Sequence, residues 1–131
     1  MLDAYLIEGE ALMVARPRGV FDLNLAEQLI EFVETKETEL EAGFNRFCDL
    51  NYLEGVPLSF TDVMKLAGRR STFNPNKVRV RSAFLAADPI AYAVIGMYER
   101  LLDNSRIEVR VFKELEAAAK WLGVKPETLR P

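Results

Sequence analysis

Residues Arg106 to Val124 read RIEVRVFKELEAAAKWLGV, and this stretch decides the class of fold. Apolar residues alternate with charged ones from Ile107 to Val111, which is the period-two pattern of a strand with one covered face. After Phe112 the apolar residues recur every three or four positions, which predicts a helix that ends at Gly123. A strand that passes directly into an amphipathic helix is typical of α/β proteins.

The same alternation continues toward the N-terminus. KVRVRSAFLA (77–86) predicts a strand, and the Asp-Pro pair at 88–89 predicts the cap and first turn of the helix that follows. FNRFCDLNYL (44–53) predicts an earlier strand. Ser59 stands three residues before Asp62, which is the spacing of a helix cap. These segments give two further strand-helix units.

The N-terminal third predicts a pair of strands and then a helix. AYLIEGEALMVARP (4–17) suggests two short strands about a turn at Gly9. Apolar residues then recur at helical spacing over 25–40, with Asn24 and Glu27 placed like a capping box.

The predicted order is therefore β-β-α-β-α-β-α-β-α, an α/β fold with a five-stranded mixed sheet in a single domain over 1–124 and a tail over 125–131. Val78 and Val80 point to one face of their strand, and the intervening arginines point to the other. We therefore expect the helices mainly on one face of the sheet.

The charged face has two interpretations. Its side chains pair across strands in contact with water, or they meet a second subunit. The candidate interface residues are Arg79, Arg81 and Arg110.

The apolar segments are too short for a membrane span. The longest, AFLAADPIAYAVIGMY (83–98), is interrupted by an aspartate and a proline. Asp3 and Glu8 stand where a signal peptide would carry lysine or arginine. We expect a cytoplasmic protein with no membrane span.

The chain has no histidine and one cysteine. Cys48 lies in a predicted apolar strand, which favours a buried structural thiol over a nucleophile. No cluster has the spacing of a transition-metal site, and the glycine-rich phosphate loops and the nucleophile elbow are missing from the sequence. We expect no metal, no cofactor and no enzymatic activity.

Charge is distributed unevenly along the chain. An acidic stretch covers 27–41, and a run of bases without an intervening acid covers 65–81. We expect the bases to pair with the acidic stretch, within the monomer or across a dimer, rather than to bind nucleic acid, because the pI is near 5.1.

Three segments resemble the STAS superfamily, and more narrowly its SpoIIAA-like branch: DLNYLEGVPLSFTDVMKLA (49–67), IAYAVIGMYERLL (90–102) and the strand-helix segment 106–124. This resemblance implies a protein-binding regulatory module similar to anti-sigma-factor antagonists, which are switched by phosphorylation of a serine at the start of the second helix. The family pattern leaves Ser59 as the candidate phosphoacceptor, although its flanking aspartate and glycine are missing. The alternative role of Ser59 is a plain helix cap.

The branch is also similar in fold to CRAL-TRIO lipid carriers, which gives a small apolar ligand as the alternative function. Six residues on the second and third helices could line such a cavity or simply form core: Phe60, Met64, Ile90, Val94, Met97 and Tyr98. A site of either kind is expected where the third and fourth strands end. This edge carries Asp49, Asn51, Ser59, Thr61 and Asp88.

Overall fold

The structure, a computed structural model, describes residues 1–7 and 9–131, so that Glu8 lies outside the described residues. The strands are β1 (Ala4–Ile7), β2 (Leu12–Ala15), β3 (Gly19–Val20), β4 (Asn45–Asp49), β5 (Leu53–Gly55), β6 (Val80–Leu85) and β7 (Ile107–Phe112). The helices are α1 (Leu23–Glu39), α2 (Phe60–Thr72), α3 (Pro89–Leu101), α4 (Leu115–Leu122) and α5 (Pro126–Leu129).

The main sheet has five strands in the order β1-β2-β4-β6-β7. The pair β1 and β2 is antiparallel, and every other neighbouring pair is parallel. This arrangement confirms the predicted α/β fold with a mixed sheet. The short strands β3 and β5 form a separate two-stranded parallel sheet that the sequence analysis did not predict.

The three long helices α1, α2 and α3 cover one face of the main sheet, as expected for helices placed mainly on one face. Their apolar side chains pack with the strand residues that point to this face, such as Met13 and Cys48, in the larger core. This core contains Leu29 of α1, Val63 of α2 and Val94 of α3. The parallel strands and their crossover helices thus bury one continuous apolar layer.

The opposite face carries a smaller core under α4 and α5. Val14 and Phe47 on the strands meet Ala118, Leu122 and Leu129 on these two helices. The alternation in β6 and β7 indicates a charged face of the sheet. The helices α4 and α5 therefore cover the centre of this face, and the part at β7 is open.

The start of α1 corrects one prediction. The cap is Asp22, whose Oδ1 accepts a hydrogen bond from the Leu25 N–H at 2.9 Å. Asn24 instead lies inside the first turn of the helix. Aspartate and asparagine both cap helices well, so the sequence alone could not choose between positions two residues apart.

The loop after α1 turns at Gly43, which has φ +79°. A Cβ atom at this position would lie 2.5 Å from Val78 Cγ1. Only glycine combines this backbone conformation with so close a contact. Gly43 thereby brings the end of α1 against the segment that enters β6.

Residues 125–131, which the sequence analysis set apart as a tail, contain α5. Leu129 is fully buried in the smaller core, and its backbone oxygen accepts a hydrogen bond of 2.8 Å from Arg16 Nη2. These residues therefore contribute packing to the body of the protein, and the domain boundary after residue 124 stays a prediction.

Among residues 1–7 and 9–131, the helices fall short of the length and apolar character that a membrane crossing requires.

Candidate functional site

The carboxyl ends of β4 and β6 meet at one edge of the sheet, and α2 and α3 begin just beyond them. We call this region, with Asp49, Asn51, Ser59, Thr61 and Asp88, the carboxyl edge. The strand order therefore places all five candidate residues at this edge.

The polar groups at the ends of β4 and β6 hold the backbone of the edge. Asp49 is buried, and its Oδ1 accepts a hydrogen bond of 3.0 Å from the Asn51 N–H. Asn51 Oδ1 accepts one of 2.9 Å from the Ala87 N–H, which ties the end of β4 to the end of β6. Burial raises the pKa of Asp49, while the Asn51 N–H and the charge of Arg16 oppose the rise.

The remaining candidates lie at the helix starts. Ser59 Oγ accepts a hydrogen bond of 3.1 Å from the Asp62 N–H, and Asp62 Oδ2 accepts one of 3.0 Å from the Ser59 N–H. This capping box confirms Ser59 as the cap of α2. Asp88 caps α3 by accepting a hydrogen bond from the Ala91 N–H at 3.0 Å, and Thr61 is exposed in the first turn of α2.

Replacing Ser59 by alanine is expected to lower the free energy of unfolding by about 1 kcal/mol, because the Asp62 N–H loses its acceptor. The Ser59→Asp variant keeps an oxygen at the cap and should remain close to wild type in stability. Urea unfolding followed by circular dichroism measures both variants. Equal losses in the two would contradict a capping role.

Three large apolar side chains are exposed at the starts of α2 and α3. The exposed fractions are 56% for Phe60, 50% for Met64 and 65% for Ile90. We call these three residues the apolar patch. From the sequence, all three were expected to line a cavity or form core, and their exposure shows that this expectation was wrong.

The sequence could have signalled the patch on α2. The buried residues of this helix are Val63, Leu66, Ala67 and Arg70. Phe60 and Met64 lie to one side of that stripe, so the apolar residues of α2 cover more of its circumference than one face can bury. An excess of this kind on a helix is the pattern that indicates an exposed apolar surface.

Of the six residues that could line a ligand cavity or form core, Val94 and Tyr98 border a small cavity. One cavity of about 60 Å³ lies under α1, α2 and α3, with Val94 and Tyr98 in its wall. A second, of about 50 Å³, lies beside Arg46 and Cys48. Pockets for small-molecule ligands typically have volumes of about 300–1,000 Å³, so both cavities are far too small for a lipid.

The candidate interface residues lie beside α4. Arg81 and Arg110 are exposed and flank the ring of Trp121, at 5.2 and 5.3 Å from its centre. Arg81 also meets Glu108 across the strands at 3.6 Å, which is the cross-strand pairing anticipated for this face. Arg79 is exposed just before β6.

A buried ion cluster lies between α1, α2 and the sheet. Glu37 is 2% exposed, and its Oε2 accepts hydrogen bonds from Arg46 at 2.8 Å and from Arg106 at 3.2 Å. Arg70 donates to both oxygens of Glu37, at 2.9 and 3.1 Å. One carboxylate thus receives three guanidinium groups.

Glu34 extends the cluster toward the surface, where it accepts hydrogen bonds from Arg69 at 2.8 Å and from Arg70 at 3.2 Å. Glu34 and Glu37 belong to the acidic stretch 27–41, and Arg69 and Arg70 belong to the run of bases 65–81. The expected pairing between these two stretches therefore forms within the monomer for Arg69 and Arg70.

The cluster shifts the pKa values of its members. Burial alone would raise the pKa of Glu37, but Arg70 and Arg46 outweigh it and hold that pKa below its ordinary value. Burial lowers the pKa of Arg46 to about 10, against the opposing attraction of Glu37. Glu37 is therefore the counterion that the three buried arginines Arg46, Arg70 and Arg106 share.

Cys48 is buried in β4, and burial raises the pKa of its thiol. This environment suits a structural thiol, as predicted. Across the described part of the chain, His, Cys, Asp and Glu side chains do not assemble into a group of three or more that could hold a metal ion.

Two solved structures are similar to this chain along nearly its whole length. An uncharacterized protein from Shewanella loihica PV-4, of the DUF3478 family, has a SpoIIAA-like fold, a TM-score of 0.58 and 15% identity, with 93% of this chain and 92% of that chain covered. The fold is SpoIIAA-like.

The anti-sigma factor antagonist SpoIIAA in its unphosphorylated form gives a TM-score of 0.56 at 16% identity, with 95% of this chain and all of that chain covered. The SpoIIAA-like fold confirms the architecture that the resemblance implied. No family model matches the sequence, and no curated protein matches it.

Proposed function

We propose that this chain is a noncatalytic regulatory module that binds another protein of the cytoplasm through its carboxyl edge. The apolar patch is the observation that carries the proposal. Phe60, Met64 and Ile90 are each at least half exposed, whereas most large apolar residues of the chain are buried or partly buried. Exposed large apolar side chains at one edge of a sheet suit a protein-binding surface.

The polar surroundings of the patch support a protein partner. Phe60 follows directly after the exposed Ser59, and Ile90 stands two residues after the exposed Asp88. A central apolar anchor with a polar rim is the usual composition of a protein interface. A lipid would instead need an enclosed cavity, and the two interior cavities are too small for one.

The carboxyl edge offers little for catalysis. Its buried carboxylate, Asp49, accepts a hydrogen bond from the backbone, and Asp88 is occupied as a helix cap. General acid-base catalysis needs a second titratable group within hydrogen-bond reach of the reacting proton. The groups at this edge instead hold the loops, which suits a rigid binding surface.

Ser59 gives the proposed surface a means of control, as in the anti-sigma-factor antagonists that the sequence resembles. A phosphate on Ser59 would face the free N–H groups of the first turn of α2, but it would also lie against the carboxylate of Asp62. It would place about two negative charges beside the exposed Phe60. We therefore propose that phosphorylation weakens binding of the partner.

A photoreactive phenylalanine analogue at position 60 is expected to cross-link the partner in extracts of the source cells. The same analogue at Ala117, an exposed position on α4, is the matched control. Mass spectrometry of the products identifies the captured protein and its contact residues. Addition of the unlabelled wild-type chain should compete the product away.

Two further variants define the contact. Ile90→Glu should abolish cross-linking from position 60, while Ala117→Glu should leave it unchanged. Ser59→Asp should reduce the yield without loss of stability. Identical products from positions 60 and 117 would overturn the proposed surface. So would the absence of any product that the wild-type chain can compete away.

A further inference from the structure

The opposite edge of the sheet, where the parallel strands begin, carries charges of both signs in separate places. The last residue of α1 and the start of the loop after it form its acidic part. Glu39, Leu40 and Glu41 are all exposed, with 55% of the Glu39 side chain and 38% of Leu40 accessible. We call these three residues the acidic loop. Glu39 pairs with Lys36 at 3.3 Å within α1, whereas Glu41 forms no ion pair among the described residues.

A groove forms the basic part of the same edge. It has a volume of about 720 Å³ and lies between the starts of β6 and β7 and the end of α4. Arg79, Arg81 and Lys120 line it, and Glu108 neutralises only Arg81, at 3.6 Å. In the part of the chain that the structure describes, Arg79 and Lys120 form no ion pair. We call this feature the basic groove.

The acidic loop and the basic groove are neighbours on one surface. Gly43, two residues after the loop, packs against Val78. Asn45 Oδ1 accepts a hydrogen bond of 2.8 Å from the Arg81 N–H, and Asn45 itself lines the groove. The short segment 43–45 therefore connects the acidic loop to the basic groove.

We propose that a second copy of this chain docks on this edge, with the acidic loop of each copy in the basic groove of the other. A two-fold axis near Gly43 exchanges the two features, so every contact forms twice and the assembly closes at a dimer. The second copy is the occupant that matches in charge, because it presents Glu41, with Glu39 beside it, to Arg79 and Lys120. Leu40 would meet the apolar part of the groove wall, which includes Trp121 and Leu122.

This dimer is independent of the partner surface proposed above, because it uses the other edge of the sheet. It also differs from an interface on the sheet face, since Arg79 and Arg81 take part but Arg110 does not. The contacts are exposed ion pairs around a small apolar contact, so the dimer should be weak and sensitive to salt.

Sedimentation equilibrium of the wild-type chain at low ionic strength tests the proposal. We expect a monomer-dimer equilibrium that shifts toward monomer as salt is added. Glu41→Arg and Arg79→Glu should each raise the dimer dissociation constant by roughly tenfold or more. Each reversal brings like charges into contact at both symmetric copies of the interface. The double variant restores opposite charges and should return to within about threefold of wild type.

Charge reversals away from this edge serve as controls. Glu54 in β5 and Lys65 in α2 are exposed, so Glu54→Lys and Lys65→Glu should leave the equilibrium unchanged. Circular dichroism checks that every variant is folded. A wild-type chain that stays monomeric at all concentrations overturns the proposal. So does a dimer that is insensitive to both single reversals, or one that the double variant fails to restore.

Discussion

Replacing Glu37 by glutamine is expected to lower the free energy of unfolding by about 3–5 kcal/mol, the largest effect of any single substitution considered for this protein. The amide keeps the shape of the side chain but removes the charge that faces Arg46, Arg70 and Arg106. The cost arises because three guanidinium groups then lie buried without their main counterion. Native proteins have a total stability of about 5–15 kcal/mol, so this loss is a large fraction of the whole.

Urea unfolding at neutral pH measures the loss, and Glu31→Gln is the matched control. Glu31 lies on the same helix and is exposed, so its replacement should change stability by no more than about 0.5 kcal/mol. Similar small changes in both variants would mean that the buried ion cluster contributes little.

The pH dependence of this difference has a definite sign. The folded-state pKa of Glu37 lies below its ordinary value. Its stabilising contribution is therefore present above the unfolded-state pKa, about 4.3, and is lost as the pH falls through the lower pKa of the folded protein. Wild type and Glu37→Gln should accordingly converge in stability in acid.

Replacing Leu129 by alanine is expected to lower the free energy of unfolding by about 2–5 kcal/mol. Leu129 is completely buried under the sheet, beside side chains of α4 such as Leu122. The truncated side chain leaves a cavity that the surrounding residues fill only in part. Thermal or urea unfolding measures the change, and Glu127→Ala at an exposed position of α5 should have a much smaller effect.

A chain that ends at Val124 extends this test. This truncation removes α5 and, with it, the backbone oxygen of Leu129. That oxygen accepts a hydrogen bond from the buried guanidinium group of Arg16. We expect a loss at least as large as that of Leu129→Ala. An unchanged unfolding curve would show instead that residues 125–131 are an independent tail.

The fold could be predicted from the sequence because its main elements carry strong periodic patterns. The alternation in β7 and the helical spacing in α4 are both long enough to be recognised. The strands β3 and β5 have only two and three residues, and such short strands show no period. They exist because they pair with each other, which no local pattern can indicate.

The candidate site was predicted in part. The topological rule for parallel sheets led to Asp49, Asn51 and Asp88, because it depends only on the order of elements. It could not find the apolar patch, since Phe60 and Met64 fit helical spacing whether they are buried or exposed. Glu37 was missed as a buried residue because its environment is set largely by Arg70 and Arg106, which are distant in sequence.

The larger core and the smaller core under α4 and α5 depend on different parts of the chain. The larger core takes its helices from α1 to α3, whereas the smaller core depends on residues of α4 and α5 that follow the last strand. During synthesis, the strand residues Val14 and Phe47 therefore remain uncovered on one side until residue 129 has left the ribosome. The nascent sheet then exposes an apolar surface that other chains can bind. Protection by a chaperone would matter most before α5 has been synthesised.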